Sequence, residues 1–113
     1  MNYNIETTDN FERKFKHLFK KYRSLKSDIL AFSKELKENP TMGEDLGNGI
    51  RKIRMAITSK NKGKSGGARV ITFDVLVDVE NTDIHLLTIY DKSEQESISQ
   101  QEIAHLKEMS GLK

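Results

Sequence analysis

The sequence predicts an α+β fold: an N-terminal strand and a two-helix hairpin, then a mostly antiparallel sheet of three further strands and a short C-terminal helix. Two observations carry this. Apolar residues recur at intervals of three and four from Phe11 to Leu36, and from Ile50 onward they alternate with polar ones. A period near 3.6 marks one face of a helix, and a period of two marks a half-buried strand, so helices come first and most strands after. With 113 residues, a single domain over residues 1–113 is expected, long enough to bury roughly two-thirds of the surface of its unfolded form.

Each element has its own signal. NYNIE at residues 2–6 alternates and suits a short edge strand. Asp9 with Glu12 three residues on reads as a helix start with an acidic cap. The stripe Phe11, Phe15, Leu18, Tyr22, Leu25, Ile29, Phe32 and Leu36 then holds one face. Ser24 offers a cap within it, so two helices folded into a hairpin are expected rather than one long helix. Asn39-Pro40 ends the second, because a residue before proline is pushed out of the helical region. Gly43, Gly47 and Gly49 punctuate a loop. In the strand IRKIRMAI at residues 50–57, Ile53, Met55 and Ile57 fall on one side and Lys52, Arg54 and Ala56 on the other. RVITFDVLVDV at residues 69–79 puts Ile71, Phe73, Val75, Val77 and Val79 on one side. Asn81-Thr82 marks a turn, and IHLLTIY at residues 84–90 is apolar enough for a strand in the middle of the sheet. From Ser99, Ile103, Leu106 and Met109 stand at helical spacing.

Composition narrows the function. The chain contains no Cys, which excludes disulfides, zinc-thiolate sites and cysteine nucleophiles and fits a reducing cytoplasm. No stretch approaches the about 18 apolar residues of a membrane span, and MNYNIETTDN lacks the basic start and apolar run of an export signal. The net charge of +2 is sorted by segment: residues 46–73 carry seven Lys or Arg and no acid, while residues 74–113 carry nine acids and three bases. Residues 13–26 hold a further seven bases and no acid. Sorted positive charge is what a polyanion-binding surface needs, although a charged run on a helix is more often a solvated face.

Gly63-Lys64-Ser65 invites comparison with a nucleotide-gripping loop. That loop needs a glycine five residues earlier and must lead from a strand into a helix. Thr58 stands at the earlier position, and a β-branched strand follows Gly66-Gly67. Both requirements fail, which leaves a basic connection between two antiparallel strands whose lysines can still meet phosphate as mobile point charges.

Taken together, the helix pair ending in LKENPTMG, the strand KIRMAI, the segment GKSGGARVITF and the terminal LLTIYDKSEQESIS resemble the RelE/ParE superfamily of toxins from bacterial type II toxin–antitoxin modules. The resemblance spans nearly the whole chain and is nearest to the RelE-like, messenger-RNA-cleaving branch. It implies a toxin that cuts messenger RNA on the ribosome, in the cytoplasm, with neither metal nor cofactor and with no part for a membrane, and that is neutralised by a cognate antitoxin.

RNA cleavage of this kind needs a base for the 2′-hydroxyl proton, positive charge for the phosphorane and an acid for the departing 5′-oxygen. His17, His85 and His105 fall in separate elements and are expected to be bystanders. Lys52 and Arg54 stand two apart on a strand and project from one face. By resemblance they match the family's basic pair, one member of which serves as base. Arg69 matches the arginine that holds the scissile phosphate, with a guanidinium fork suited to a phosphorane. Tyr90 would orient a substrate base, and Lys92 would bind phosphate or transfer a proton. A lysine acts as base near neutral pH only where burial or neighbouring cations lower its pKa. Arg51, Lys60, Lys62 and Lys64 are expected as further RNA contacts. The chain departs from the family pattern at Ser93, where an arginine is expected after Lys92, and Asp91, Glu94 and Glu96 make that rim acidic. Glu94 or Glu96 is then a candidate acid or a clasp for an antitoxin arginine. Two other readings keep the fold: a ParE-like protein that inhibits DNA gyrase by binding it, and a non-toxic RNA-binding relative.

Overall fold

The computed structural model describes residues 1–112. Its elements are β1 (Asn2–Thr7), α1 (Asp9–Lys21), α2 (Leu25–Glu38), β2 (Glu44–Gly47), β3 (Ile50–Met55), a 3-10 turn (Thr58–Lys60), β4 (Ala68–Leu76), β5 (Asn81–Asp91) and α3 (Gln100–Met109). The strands form one sheet in the order β1-β5-β4-β3-β2. β1 runs parallel to β5, and the remaining neighbours are antiparallel. This is the α+β arrangement expected, with β1 at an edge and the helix pair folded back as a hairpin. The central strand is β4, with β5 beside it rather than in the middle.

The helix start lies one residue earlier than the sequence suggests. Thr8 caps α1: its hydroxyl accepts from the Phe11 backbone N–H at 3.1 Å and lies 3.1 and 3.0 Å from the Leu86 and Leu87 carbonyls of β5. Asp9 and Glu12 instead occupy the first turn, where negative charge favours the helix dipole. Ser24 precedes α2 without making a side-chain cap. Its hydroxyl donates to Asp28 at 2.8 Å, and Asp28 also accepts from the Thr58 backbone N–H at 2.9 Å. The hairpin turn is thereby tied to the segment that leaves β3.

β2 was not legible as a strand. Glu44 and Asp45 pair with Lys52 and Arg51, and the chain reverses through Gly47, Asn48 and Gly49, all with positive φ. Such a turn needs residues that tolerate the left-handed region, and glycine and asparagine do. At the other end of the sheet, β4 stops at Leu76 rather than residue 79. There the Asp78 carboxylate accepts from the Glu80 and Asn81 backbone N–H groups at 2.8 and 3.0 Å, which builds a turn and leaves Val77 and Val79 exposed. β5 begins at Asn81, paired with Asn2 of β1, inside the expected turn.

A β-bulge explains why β5 is apolar on every side. Ile71 pairs with Thr88 but Thr72 pairs with Leu86, so Leu87 is the extra residue. Ile84, Leu86 and Ile89 consequently pack under α1 and α2, with Phe11, Leu18, Leu25, Phe32 and Leu36. Leu87 and Tyr90 point the other way, into a second cluster with Ile50, Ile71, Phe73 and Ile103 of α3. Each fully buried aliphatic chain contributes roughly 1.5–3 kcal/mol. The sheet face carrying the basic pair is therefore not free of core: its far half is apolar and covered by α3. Within α3, capped by Ser99, Ile103 and Leu106 are buried, but Met109 is exposed despite its spacing.

Candidate functional site

Register assembles the cations. Arg54 pairs with Arg69 and Arg69 with Tyr90, giving one cross-strand row, and Lys52 stands two residues along β3 on the same face. β2 covers the edge of β3 only as far as Lys52, so beyond it the edge opens into a cleft of about 610 Å³. Lys52, Arg54, Arg69, Lys92 and Lys64 line it from the sheet and the loop before β4. The last turn of α2 and the residues after it supply the facing wall through Glu35, Asn39, Met42 and Glu44.

The five cations are held differently. Arg54 is exposed. The Lys52 ammonium lies 3.5 Å from Glu44, its cross-strand partner, and the Lys64 ammonium lies 3.0 Å from Glu35. The Lys92 ammonium donates to the Glu96 carbonyl at 2.9 Å. Arg69 is only 6% exposed, and its guanidinium donates to the carbonyls of Lys64, Ala68 and Ser65 at 3.2, 3.2 and 3.1 Å. One end of this arginine faces the cleft while the rest fixes the basic loop.

Gly67 sets the loop's return into β4. A Cβ there would stand 2.2 Å from the Met55 carbonyl oxygen, so only glycine permits this approach of the two backbones. Gly67 thus serves strand packing, and the chain that follows Gly-Lys-Ser enters β4 rather than a helix.

Four predicted site residues lie outside the cleft. Arg51 neighbours Lys52 and so projects to the opposite face, where it donates to the Thr41 carbonyl at 3.0 Å and lies 3.8 Å from Asp45. Lys60 is withdrawn into an ion pair with Asp91 at 2.7 Å, its side chain 8% exposed. Lys62 is exposed on the loop without lining the cleft. Tyr90 belongs to the apolar cluster beneath α3, and its buried hydroxyl has no hydrogen-bond partner. Burial raises its pKa, against the opposing pull of Arg69. As placed, the ring cannot stack on a base.

Asp91, expected to acidify the rim, is buried instead. Burial alone would raise its pKa, but bonds from the Lys60 ammonium (2.7 Å), the Tyr22 hydroxyl (2.6 Å) and Ser93 (2.8 Å from its hydroxyl) outweigh burial and hold the carboxyl well below the usual range. Ser93, the departure from the family pattern, therefore completes the shell of this carboxylate. Glu94 stays outside, 3.9 Å from Lys21. The three histidines fall in α1, β5 and α3, and among the described residues no group of His, Asp or Glu is arranged to hold a metal ion. None of the helices described is long and apolar enough to cross a membrane.

Sequence reasoning missed Glu35, Asn39 and Glu44. The spacing of Glu35 and Asn39 puts both on one side of α2, but nothing local says that this side meets the cations.

Comparison with known proteins agrees with this architecture. The E. coli toxin RelE, as a mutant in the free state, superposes with a TM-score of 0.52 at 17% identity, covering 85% of this chain and 90% of that one. The family model described as the RelE toxin of the RelE/RelB toxin–antitoxin system matches residues 7–112. With its match running from the end of β1 through α3, the chain belongs to the RelE toxin family.

Proposed function

We propose that the protein is a ribosome-associated endoribonuclease that cuts messenger RNA and is neutralised by a cognate antitoxin. The observation that carries this reading is the convergence of Lys52, Arg54, Lys64, Arg69 and Lys92 on one open cleft. Five cations around a cleft attract a polyanion and stabilise the extra negative charge of a phosphorane. Arg69 is the best-fixed of them, because three carbonyls hold its guanidinium. A preorganised donor needs no reorientation when charge develops, and we assign it to the scissile phosphate. By the family pattern the basic pair of β3 supplies the proton acceptor for the 2′-hydroxyl, and Lys52 is free to serve only once Glu44, 3.5 Å from its ammonium, has been displaced. Attack of that oxygen on phosphorus expels the 5′-oxygen, and Lys92 at the end of β5 supplies its proton. Arg54 neutralises a phosphate oxygen. Tyr90 has no part while α3 covers it.

Expression of the chain alone should arrest growth and shorten messenger RNAs within translated regions, and co-expression of the neighbouring antitoxin gene should reverse both. Intact transcripts together with double-stranded DNA breaks would overturn this reading in favour of gyrase inhibition.

A further inference from the structure

The cleft has two unlike walls, and the cationic one accounts only for the RNA backbone. Opposite it, Glu35 and Asn39 stand one turn apart at the end of α2, both exposed and both lining the cleft. Met42 lies beside them, half-buried. Glu35 is held by Lys64 through one carboxylate oxygen, Oε1, at 3.0 Å. Among the described residues neither Oε2 nor the Asn39 amide has a protein partner. From the position of these groups we infer that this wall reads a base next to the cut, and that it favours adenine and cytosine. The inference rests on the nuclease reading above.

The chemistry is a count of donors and acceptors. Glu35 Oε2 and Asn39 Oδ1 provide two acceptors, and Asn39 Nδ2 provides a donor. An exocyclic amino group offers two hydrogens, and the ring nitrogen beside it offers an acceptor. Adenine presents that set at N6 and N1, and cytosine at N4 and N3. Uracil presents carbonyl oxygens to these acceptors, and guanine presents O6 where the amino group is wanted, so each would leave polar groups facing like partners. The Met42 thioether supplies an apolar surface for the ring. A phosphate bound by the opposite wall sets the backbone so that one base turns toward α2.

The test is single-turnover cleavage of ribosome-bound messages that carry A, C, G or U at each position flanking the cut, with thermal unfolding of every variant. The wild-type protein should favour A and C at one position by about tenfold or more, in line with a good paired base contact. Glu35→Ala with Asn39→Ala should reduce that preference to less than about threefold while the melting temperature stays nearly unchanged, since both side chains are exposed. Glu35→Gln, which adds a donor, should recover cleavage at uracil. A preference untouched by the double substitution, or equal slowing on all four bases, would overturn the inference and leave the nuclease reading intact. Failure of the wild-type protein to cut any message would instead remove the reading beneath it.

Discussion

Arg69→Ala separates chemistry from stability because the two costs differ in size. The substitution removes a guanidinium that donates to three carbonyls at 3.1 to 3.2 Å. Those of Lys64 and Ser65 belong to an exposed loop and can turn to water, whereas Ala68 is fully buried. The expected loss is about 1–3 kcal/mol, most of it from the one carbonyl that water cannot reach. For a domain of this size each kcal/mol lowers Tm by roughly 4–8 °C. Even from a starting stability of about 5 kcal/mol, a loss of about 3 leaves well over nine-tenths of the molecules folded at 25 °C. Unfolding therefore cannot produce a large rate defect. Removing a preorganised donor from a developing oxyanion costs on the order of a hundredfold or more. Single-turnover cleavage on the ribosome, measured well below the Tm of each variant, should show that loss in full. Arg69→Lys should fall between, because an ammonium keeps the charge but loses the planar fork. Cleavage by Arg69→Ala within about threefold of wild type, or a defect that tracks only the unfolded fraction, would refute the assignment and leave the arginine with its loop-holding role alone.

Three further outcomes test the frame around the cleft. Asp91→Asn should destabilise by about 3–5 kcal/mol in urea unfolding at pH 7, because it leaves the Lys60 ammonium buried without its counter-charge. The folded-state pKa of Asp91 is depressed, so the contribution is full above the ordinary value of 3.8 and is lost as pH falls below it; the wild-type protein should weaken over that window more than the variant does. Gly67→Ala should cost several kcal/mol or abolish soluble expression, since its Cβ would stand 2.2 Å from the Met55 carbonyl oxygen and the obstacle is backbone. Tyr90→Phe should be neutral or raise stability by about 1 kcal/mol, because the hydroxyl it removes is buried without a partner. It should also cleave at the wild-type rate, and a slow but stable Tyr90→Phe protein would show that α3 leaves the sheet during turnover.

The fold was legible where burial follows a period. The stripe from Phe11 to Leu36 buries one face of the helix pair, and the alternating sets Ile53 with Met55 in β3 and Ile71 with Phe73 in β4 are each buried together, although β4 also buries Ala68 and Val70 on its other side. Elements made by turn geometry or isolated contacts escaped. β2 contains a single apolar residue, Leu46, and exists because Gly47, Asn48 and Gly49 reverse the chain onto β3. Val77 and Val79 continue the alternation of β4, yet Asp78 draws the backbone into a turn and the valines leave the sheet. Periodicity reports which residues could share a face; it does not report where hydrogen bonding stops.

The site was less legible because it depends on which charges find partners. Alternation alone removes Arg51 from the face of Lys52 and Arg54, a signal present in the sequence. No local pattern removes Lys60, which reaches a carboxylate 31 residues away. Tyr90 and Asp91 illustrate the same point together. The bulge at Leu87 shifts the end of β5 by one position, so the tyrosine faces α3 and the aspartate faces Tyr22 and Lys60. An apparent basic loop beside an acidic strand end is thereby divided: one lysine and one aspartate cancel inside the protein. The cleft keeps five cations, two of them held by carboxylates of the facing wall, and that wall's distance in sequence hides its part in the site. In the free protein Glu35 and Glu44 occupy the neighbourhood that phosphates would take. A phosphate that binds at Lys52 must therefore displace Glu44, an exchange that added salt weakens on both sides, whereas among the described residues Arg54, Arg69 and Lys92 hold no carboxylate to be displaced. Affinity for free RNA should accordingly be low and depend less steeply on salt than five unpaired cations would give, which suits an RNA positioned by a larger assembly better than one captured from solution.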